Sequence, residues 1–337
     1  MSTKVLICDD SSVARKQLSK LLPTDWTVTI LFAEHGAQAL EILETEDVSL
    51  MFLDLNMPVL DGYQTLEKMQ QMQLETKVIV VSGDVQAQAL ERVKSLGAID
   101  FLKKPATKDI IREALLSHGL MAEEESDDES HLTMQDEGIQ FSLNDCLQEV
   151  SNVAMGRAAS VLADMLGVFV KLPVPNVNML EVSELQMALG YNGESNRYSA
   201  VSQGFVATGI ALEALLVFSD SSFPDMAKLL GYQEKLNKNS EVELLMDVSS
   251  ALVGPFILAL ARQLNIDFSD SHPVVLGQHV KNDHLINAKK AAWKKTLAVE
   301  ITYEVENYQV SCDLILLFTE DSVETLENLL SYLTEDE

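Results

Sequence analysis

Five short apolar runs alternate with five stretches of helical period in the first third of the chain, and that alternation leaves few folds open. The runs are Val5–Cys8, Val28–Phe32, Leu50–Leu53, Val78–Val81 and Phe101–Leu102. Between and after them lie Val13–Leu22, Ala37–Leu43, Thr65–Met72, Ala87–Leu96 and Lys108–Leu116, each with apolar residues at helical spacing. Short strands that alternate with helices build a parallel sheet covered on both faces. Ligands on such a fold gather at the carboxyl ends of the strands. The polar residues standing there are therefore the first candidates for function.

Those residues make a consistent set. Asp9 and Asp10 follow the first run, Asp54 the third, Ser82 the fourth and Lys104 the fifth. Three carboxylates at neighbouring strand ends repel one another unless a cation sits among them, and hard oxygen ligands suit Mg²⁺. Lys104 adds a point positive charge and Ser82 a hydroxyl donor. Together they form a cage for a phosphoryl group carried by a carboxylate. Asp10 or Ser11 also suits the cap of the next helix, and Cys8 reads as a small buried hydrophobe.

With these positions goes the segment Asp54-Leu-Asn-Met-Pro58 with Asp61-Gly62, then Val-Ser82-Gly and Lys104-Pro105. Residues 1–121 thereby resemble a response-regulator receiver domain of the CheY type, which implies a flavodoxin-like (βα)5 fold. The resemblance implies that Asp54 accepts the phosphoryl group, that Asp9, Asp10, Asp54 and the backbone carbonyl of Asn56 form the Mg²⁺ site, and that Lys104 contacts the phosphoryl group. It also implies that Ser82 moves onto that group, that Phe101 changes rotamer, and that the Lys104–Pro105 bond is cis. A CheA-like sensor histidine kinase is the implied phosphodonor.

Charge divides the rest. The 337 residues carry a formal net charge of -28, which repels phosphate backbones and anionic lipid and argues against nucleic-acid or membrane-surface binding. Residues 123–137 contain eight acids, no Lys or Arg and little apolar content; such a stretch cannot offset its ordering entropy by burial. Residues 122–139 are expected to be an acidic linker, with a solvated helix extension as the alternative, and 140–337 to be a second domain. Three distant cysteines (Cys8, Cys146, Cys312), no uninterrupted apolar run of membrane-spanning length, and no secretory or transit pattern in Met1–Asp10 fit a cytoplasmic protein.

The second domain repeats itself. Leu215-Leu-Val-Phe218-Ser-Asp-Ser and Leu316-Leu-Phe318-Thr-Glu-Asp-Ser each precede a helical pattern, and Phe218 and Phe318 are 100 residues apart. Upstream, Asn144–Leu166 and Ser240–Leu264 are long amphipathic patterns, while Tyr198–Val206, Ile210–Phe218, Leu297–Glu306 and Tyr308–Phe318 alternate as antiparallel strands. Two tandem copies of one helix–strands–helix unit give an α+β domain with a pseudosymmetric core. On the first helix Asp145, Glu149 and Asn152 fall at i, i+4 and i+7, one face apart from the apolar stripe. A solvated polar face is the ordinary reading of such a triplet.

Asp145-x3-Glu149-x2-Asn152-x22-Pro175 is similar to the signature of the CheC/CheX/FliY phosphatases of chemotaxis receivers, and two copies make the domain CheC-like. The second copy, Glu243-x3-Asp247-x2-Ser250-x22-Pro273, keeps the spacing but changes Glu to Asp and Asn to Ser. The resemblance implies that Glu149 and Asn152, presented outward, hydrolyse aspartyl phosphate on a CheY-type receiver, with Asp145 and Pro175 in support and the second copy degenerate. The substrate is expected in trans by preference and in cis as the alternative; CheD is a further possible partner. A receiver-switched adaptor of the flagellar-switch (FliM-like) type, without catalysis, is the rival. Five of the second domain's bases crowd into Lys281–Lys295, a solvated loop unless an acidic partner docks there.

Overall fold

The computed structural model describes residues 3–121, 141–181, 197–232, 236–280 and 295–333. They form two compact units divided between Glu149 and Val150. The expected linker 122–139 and all of the lysine-rich segment but Lys295 lie outside the described residues.

In the first unit, strands and helices alternate: β1 (Thr3–Cys8), α1 (Ser12–Leu21), β2 (Val28–Ala33), α2 (Gly36–Thr45), β3 (Leu50–Leu53), α3 (Gly62–Gln71), β4 (Lys77–Ser82), α4 (Ala87–Ser95), β5 (Asp100–Lys103) and α5 (Lys108–Ser117). All five strands are parallel in the order β2-β1-β3-β4-β5, a flavodoxin-like sheet. The central strands are apolar without alternation because both faces are covered: all four residues of β3 are buried. Val5, Ile7, Phe52, Ile79 and Val81 pack with Leu18 and Leu22 of the α1 region and Ile111 and Leu115 of α5. The starts of α1, α2, α3 and α5 are capped by side chains at the strand-to-helix turns. Ser11 Oγ accepts from Ala14 N, and Asp61 and Gln64 form a reciprocal capping box on α3.

The second unit follows from helix α6 (Leu143–Leu166), which runs across the division. Its other elements are β6 (Val170–Lys171), β7 (Asn176–Glu181), β8 (Tyr198–Ala207), β9 (Ile210–Ser219), α7 (Phe223–Leu229), α8 (Lys238–Leu264), β10 (Ser269–Asp270), β11 (Val274–Val280), β12 (Lys295–Val305), β13 (Ser311–Phe318) and α9 (Val323–Leu330). The sheet is antiparallel and runs β10-β8-β9-β13-β12-β6, with β11 also on β8 and β7 also on β12. Leu215 and Ile315, equivalent in the sequence repeat, lie opposite each other where β9 meets β13. A pseudo-two-fold therefore passes between them. The short strands of each copy pair with the long hairpin of the other, so neither copy closes its sheet alone.

Two serines mark the same symmetry. Ser222, in the 3-10 turn Asp220–Ser222, exchanges hydrogen bonds with the backbone of Ser311 at the start of β13: its Oγ accepts from Ser311 N at 3.0 Å and donates to Ser311 O at 3.2 Å. Ser322, in the 3-10 turn Glu320–Ser322, does the same with Ala211 at the start of β9, at 2.9 and 3.2 Å. Both serines are buried.

Helix α8 is capped by Asn237 and ends on Asn265 in the left-handed conformation. Its Gln263 Nε2 donates to Val150 O of α6 at 2.8 Å. By length and composition α8 could cross a membrane, but 67% of its most apolar window is buried inside the unit. Its apolar stretch is not an uninterrupted run, since Ser249, Ser250 and Pro255 break it without adding charge. Strands β6, β7, β10 and β11 are additions to the sequence reading, and β13 begins at Ser311 rather than Tyr308, after a turn in which Asn307 has φ 66°.

At the end of β11 the register shifts and His279 adopts φ 53°. The bulge aims its ring between two acids, with Nδ1 2.7 Å from Asp220 Oδ2 and Nε2 2.9 Å from Glu241 Oε2. The hydrogen bond to Asp220 is the largest effect and raises the His279 pKa; burial opposes it, and the hydrogen bond to Glu241 adds to the rise.

Two outcomes follow from these contacts. Ser222→Ala or Ser322→Ala strips one partner from both a part-buried N–H and a part-buried C=O, and each should cost about 1–3 kcal/mol for the two bonds together, read as a lower urea midpoint. Because the folded His279 pKa is raised, its stabilisation is complete below the ordinary value of about 6.5 and is lost as pH rises through the folded value. The difference in melting temperature between wild type and His279→Gln should therefore shrink as pH rises; a constant difference contradicts the tie.

Candidate functional site

The carboxyl ends of the first-unit strands bring the sequence-expected residues together. Asp9 and Asp10 leave β1, Asp54 leaves β3, Ser82 ends β4, and Lys104 follows β5 with its bond to Pro105 cis. Parallel pairing of β1 with β3 puts Cys8 beside Leu53, so the acids that follow these strands are neighbours. Asp54 N donates to Cys8 O at 2.9 Å, and Lys104 N to Ser82 O at 2.9 Å.

Lys104 is the hub. Its side chain is buried, with 7% exposed, and Nζ lies 2.6 Å from Asp9 Oδ2, 3.4 Å from Asp54 Oδ1 and 3.4 Å from Glu149 Oε1. Burial works to lower the Lys104 pKa, but the charges of Asp54, Asp9 and Glu149 prevail and raise it well above the ordinary value. Asp9 is raised as well: burial and the other carboxylates outweigh Lys104. Burial first, and then the charge of Asp54, push Asp10 up to about 7. Four carboxylates thus share one ammonium. Arg15 does not relieve them directly, because its Nη1 donates to the main-chain oxygens of Asp9 (2.7 Å) and Asp10 (3.2 Å).

This excess of negative charge fits a divalent cation. Asp54 Oδ1 is buried without a hydrogen-bond partner, and the donors at hand are hard oxygens of the kind Mg²⁺ takes together with water. Among the described residues, no three His, Cys, Asp or Glu side chains form a ready-made metal cluster. Asp9 Oδ2 is instead engaged by Lys104, and Asp9 Oδ1 accepts from Ser11 N at 2.9 Å. The carboxylates present would supply part of the shell and water the rest.

The other expected residues are placed as follows. Asn56 is buried, and its N–H donates to Asp54 Oδ2 at 2.8 Å. Ser82 is fully buried and its Oγ accepts from Asp84 N at 3.2 Å. Phe101 is half-buried in β5. Cys8 is buried, which pushes its thiol pKa up, and its Sγ lies 3.6 Å from Met57 Sδ. Ser11 rather than Asp10 caps α1. Arg15, Tyr63 and Asp84 were not singled out in the sequence; the spacing of Asp84 two residues after Ser82 is the one signal that pointed near them.

Glu149 and Asn152 lie one turn apart on α6 and are buried, with 6% and 5% exposed. This differs from the expected outward presentation. For Glu149 the physical reason is the Lys104 ammonium. Among the described residues, its second oxygen, Oε2, and Asn152 Oδ1 have no hydrogen-bond partner. Asp145 caps the start of α6, with Oδ2 accepting from Ser142 N at 2.8 Å. Pro175 is buried just before β7, and Pro273 is half-buried just before β11. The second motif copy is open: Glu243, Asp247 and Ser250 are exposed, and Ser250 Oγ donates back to Met246 O at 2.8 Å.

Gly62 lies under the acceptor loop. A Cβ there would stand 2.3 Å from Asp54 O and 2.8 Å from Leu55 Cα, both backbone atoms that cannot swing away. Gly62→Ala should cost about 1–3 kcal/mol by overpacking and displace Asp54; an unchanged denaturation midpoint with unchanged Asp54 chemical shifts contradicts this.

A model of the response regulator receiver domain matches residues 5–116. The chain is 30% identical to the chemotaxis protein CheY of Bacillus subtilis over 115 residues, 34% of this chain and 96% of that protein. It is 36% identical over 104 residues to protein-glutamate methylesterase/protein-glutamine glutaminase 3 of Rhodospirillum rubrum, which is 31% of this chain but only 28% of that protein's length. Among solved structures, Thermotoga maritima FliY aligns over 57% of this chain and 96% of its own at 18% identity and TM-score 0.43, a likeness that carries no functional argument. Through residues 5–116, the chain belongs to the response-regulator receiver family.

Proposed function

We propose that the chain takes a phosphoryl group on Asp54 from a sensor histidine kinase in the cytoplasm, and that its second half, from residue 140 on, is a CheC-like phosphatase for aspartyl phosphate. The observation that carries this reading is the place of Glu149: its Oε1 is 3.4 Å from Lys104 Nζ. A carboxylate from the expected phosphatase motif meets the lysine expected to contact the phosphoryl group.

Bound Mg²⁺ would neutralise phosphoryl oxygens and lower the barrier electrostatically. The chain's own residues do the rest. Asp54 attacks the donor's phosphorus, the bond from phosphorus to the donor histidine's ring nitrogen breaks as the imidazole leaves, and Lys104 and the Asn56 N–H bind the oxygens of the acyl phosphate that results. Hydrolysis then needs a water held in line with the bond from Asp54 to phosphorus, and positioning is most of what a protein adds to phosphoryl transfer. The Asn152 amide, which both donates and accepts and cannot ionise, suits that task. As the water oxygen bonds to phosphorus, the bond to Asp54 breaks, the carboxylate reforms, and a water proton leaves with inorganic phosphate or to solvent. Glu149 sets the register by pairing with the lysine.

The sequence favours a separate CheY-type receiver as substrate, whereas the Glu149–Lys104 distance favours the chain's own. A second reading is a receiver-switched adaptor without catalysis, in which Glu149 serves to pair with Lys104. One experiment separates the three. The full chain is phosphorylated with a small acyl phosphate, and the lifetime of the Asp54 phosphate is followed with and without Asn152→Ala. Phosphatase action in cis predicts a lifetime about tenfold or more longer in the variant. Action in trans predicts equal lifetimes, but faster decay of an added phosphorylated CheY-type receiver that Asn152→Ala abolishes. Equal lifetimes and no effect on added receiver leave only the adaptor.

A further inference from the structure

Tyr63, on the first turn of α3, is not part of the cage, yet it reaches the loop that starts from Ser82. Its hydroxyl donates to Asp84 Oδ2 at 3.3 Å. Asp84 is buried, with 1% exposed, and its other oxygen accepts from Gln86 N at 3.0 Å. Gln86 is the N-cap residue of α4 and makes no side-chain cap of its own; Asp84 holds that residue's N–H just ahead of the helix. The backbone of the same Asp84 donates to Ser82 Oγ at 3.2 Å. A chain of hydrogen bonds thus runs from α3 through Asp84 to the hydroxyl in the cage. Arg92 of α4 stacks on the Tyr63 ring at 4.7 Å and lies 4.0 Å from Glu67 of α3, which fastens the same seam.

From this geometry we infer that Tyr63 is a positioning residue, a latch that holds the β4–α4 loop and, through Asp84, keeps the Ser82 hydroxyl in its unphosphorylated place. The inference rests on the proposed phosphorylation of Asp54 and the proposed movement of Ser82 onto it. For that movement Ser82 Oγ must leave Asp84 N, and Asp84 N must find another acceptor, so residues 83–86 must shift. Every bond that fixes Asp84 opposes the shift. The Tyr63 hydroxyl contributes one such bond from a different element, and it can be removed with little change of shape. Burial pushes the Asp84 carboxyl up to about 6, while donors from Gln86 and Tyr63 pull against it, as expected of a buried acid held by its hydrogen bonds.

The test uses the full chain, Tyr63→Phe, Ser82→Ala and the double variant. With Mg²⁺ and beryllofluoride as the phosphoryl mimic, Tyr63→Phe should saturate at about five- to tenfold lower beryllofluoride, the net scale of one hydrogen bond. In the Ser82→Ala background the same substitution should leave the half-saturation unchanged, because there is no hydroxyl left to release. A merely structural tyrosine would shift both backgrounds alike, and that result overturns the latch. Hydrogen exchange of the Asp84 and Gln86 amides in the unphosphorylated chain gives an independent reading. Faster exchange in Tyr63→Phe supports the latch, and unchanged exchange overturns it whether or not Asp54 accepts a phosphoryl group. Failure of the wild type to bind the mimic, with faster exchange in the variant, overturns the phosphorylation reading and leaves the restraint on the loop in place.

Discussion

A buried ammonium among carboxylates governs this structure's chemistry. Lys104 holds Asp9 at 2.6 Å and stands 3.4 Å from both Asp54 and Glu149. Removing charges from water is costly, and such a cluster persists only where each charge has partners. Here the partners are unequal in number. One ammonium cannot satisfy four acids, so protons are held more tightly than usual at Asp9 and Asp10, and Asp54 Oδ1 is left without a hydrogen bond. Hard carboxylate oxygens in such excess over cations are the kind of donors that would suit a divalent cation. The sheet exists, in this sense, to hold these groups together: parallel β1 and β3 fix Asp9 and Asp54 side by side, and β5 delivers Lys104.

In the second unit the constraint is symmetry. Leu215 opposite Ile315, and Ser222 and Ser322 each serving the other copy's strand, show two copies that complete one another. Such interlocking lets the copies diverge in their polar faces while the core stays common. Glu149 and Asn152 are buried on α6, whereas Glu243, Asp247 and Ser250 on α8 are open to solvent. The His279 bulge, gathered by Asp220 and Glu241, belongs to one end of the sheet and ties β11 to the start of α8.

Much of this was legible beforehand where a residue's place follows from periodicity. Val5–Cys8 and Leu50–Leu53 read as buried strands because their apolar runs are unbroken, and once they are strands Asp9 and Asp54 must stand at their ends. The offset between Phe218 and Phe318 likewise exposed the repeat. What stayed hidden depends on pairing rather than period. Strands β6 and β10 are two residues long, too short to alternate, and their partners lie in the other copy. The contact of Lys104 with Glu149 joins residues 45 positions apart with no local signal, so Glu149 read as an outward group. Tyr63 lies just outside the helical stretch read from Thr65 on and was not singled out, because nothing in its neighbourhood announces a bond to Asp84.

The central claim is that Asp54, beside Lys104, carries a phosphoryl group. It is tested most directly by incubating the full chain with Mg²⁺ and a radiolabelled small acyl phosphate and following label on the protein. The account predicts label on the wild type that hydroxylamine releases, as it does from an acyl phosphate, and none on Asp54→Asn. Equal labelling of Asp54→Asn, or label on the wild type that resists hydroxylamine, would contradict it.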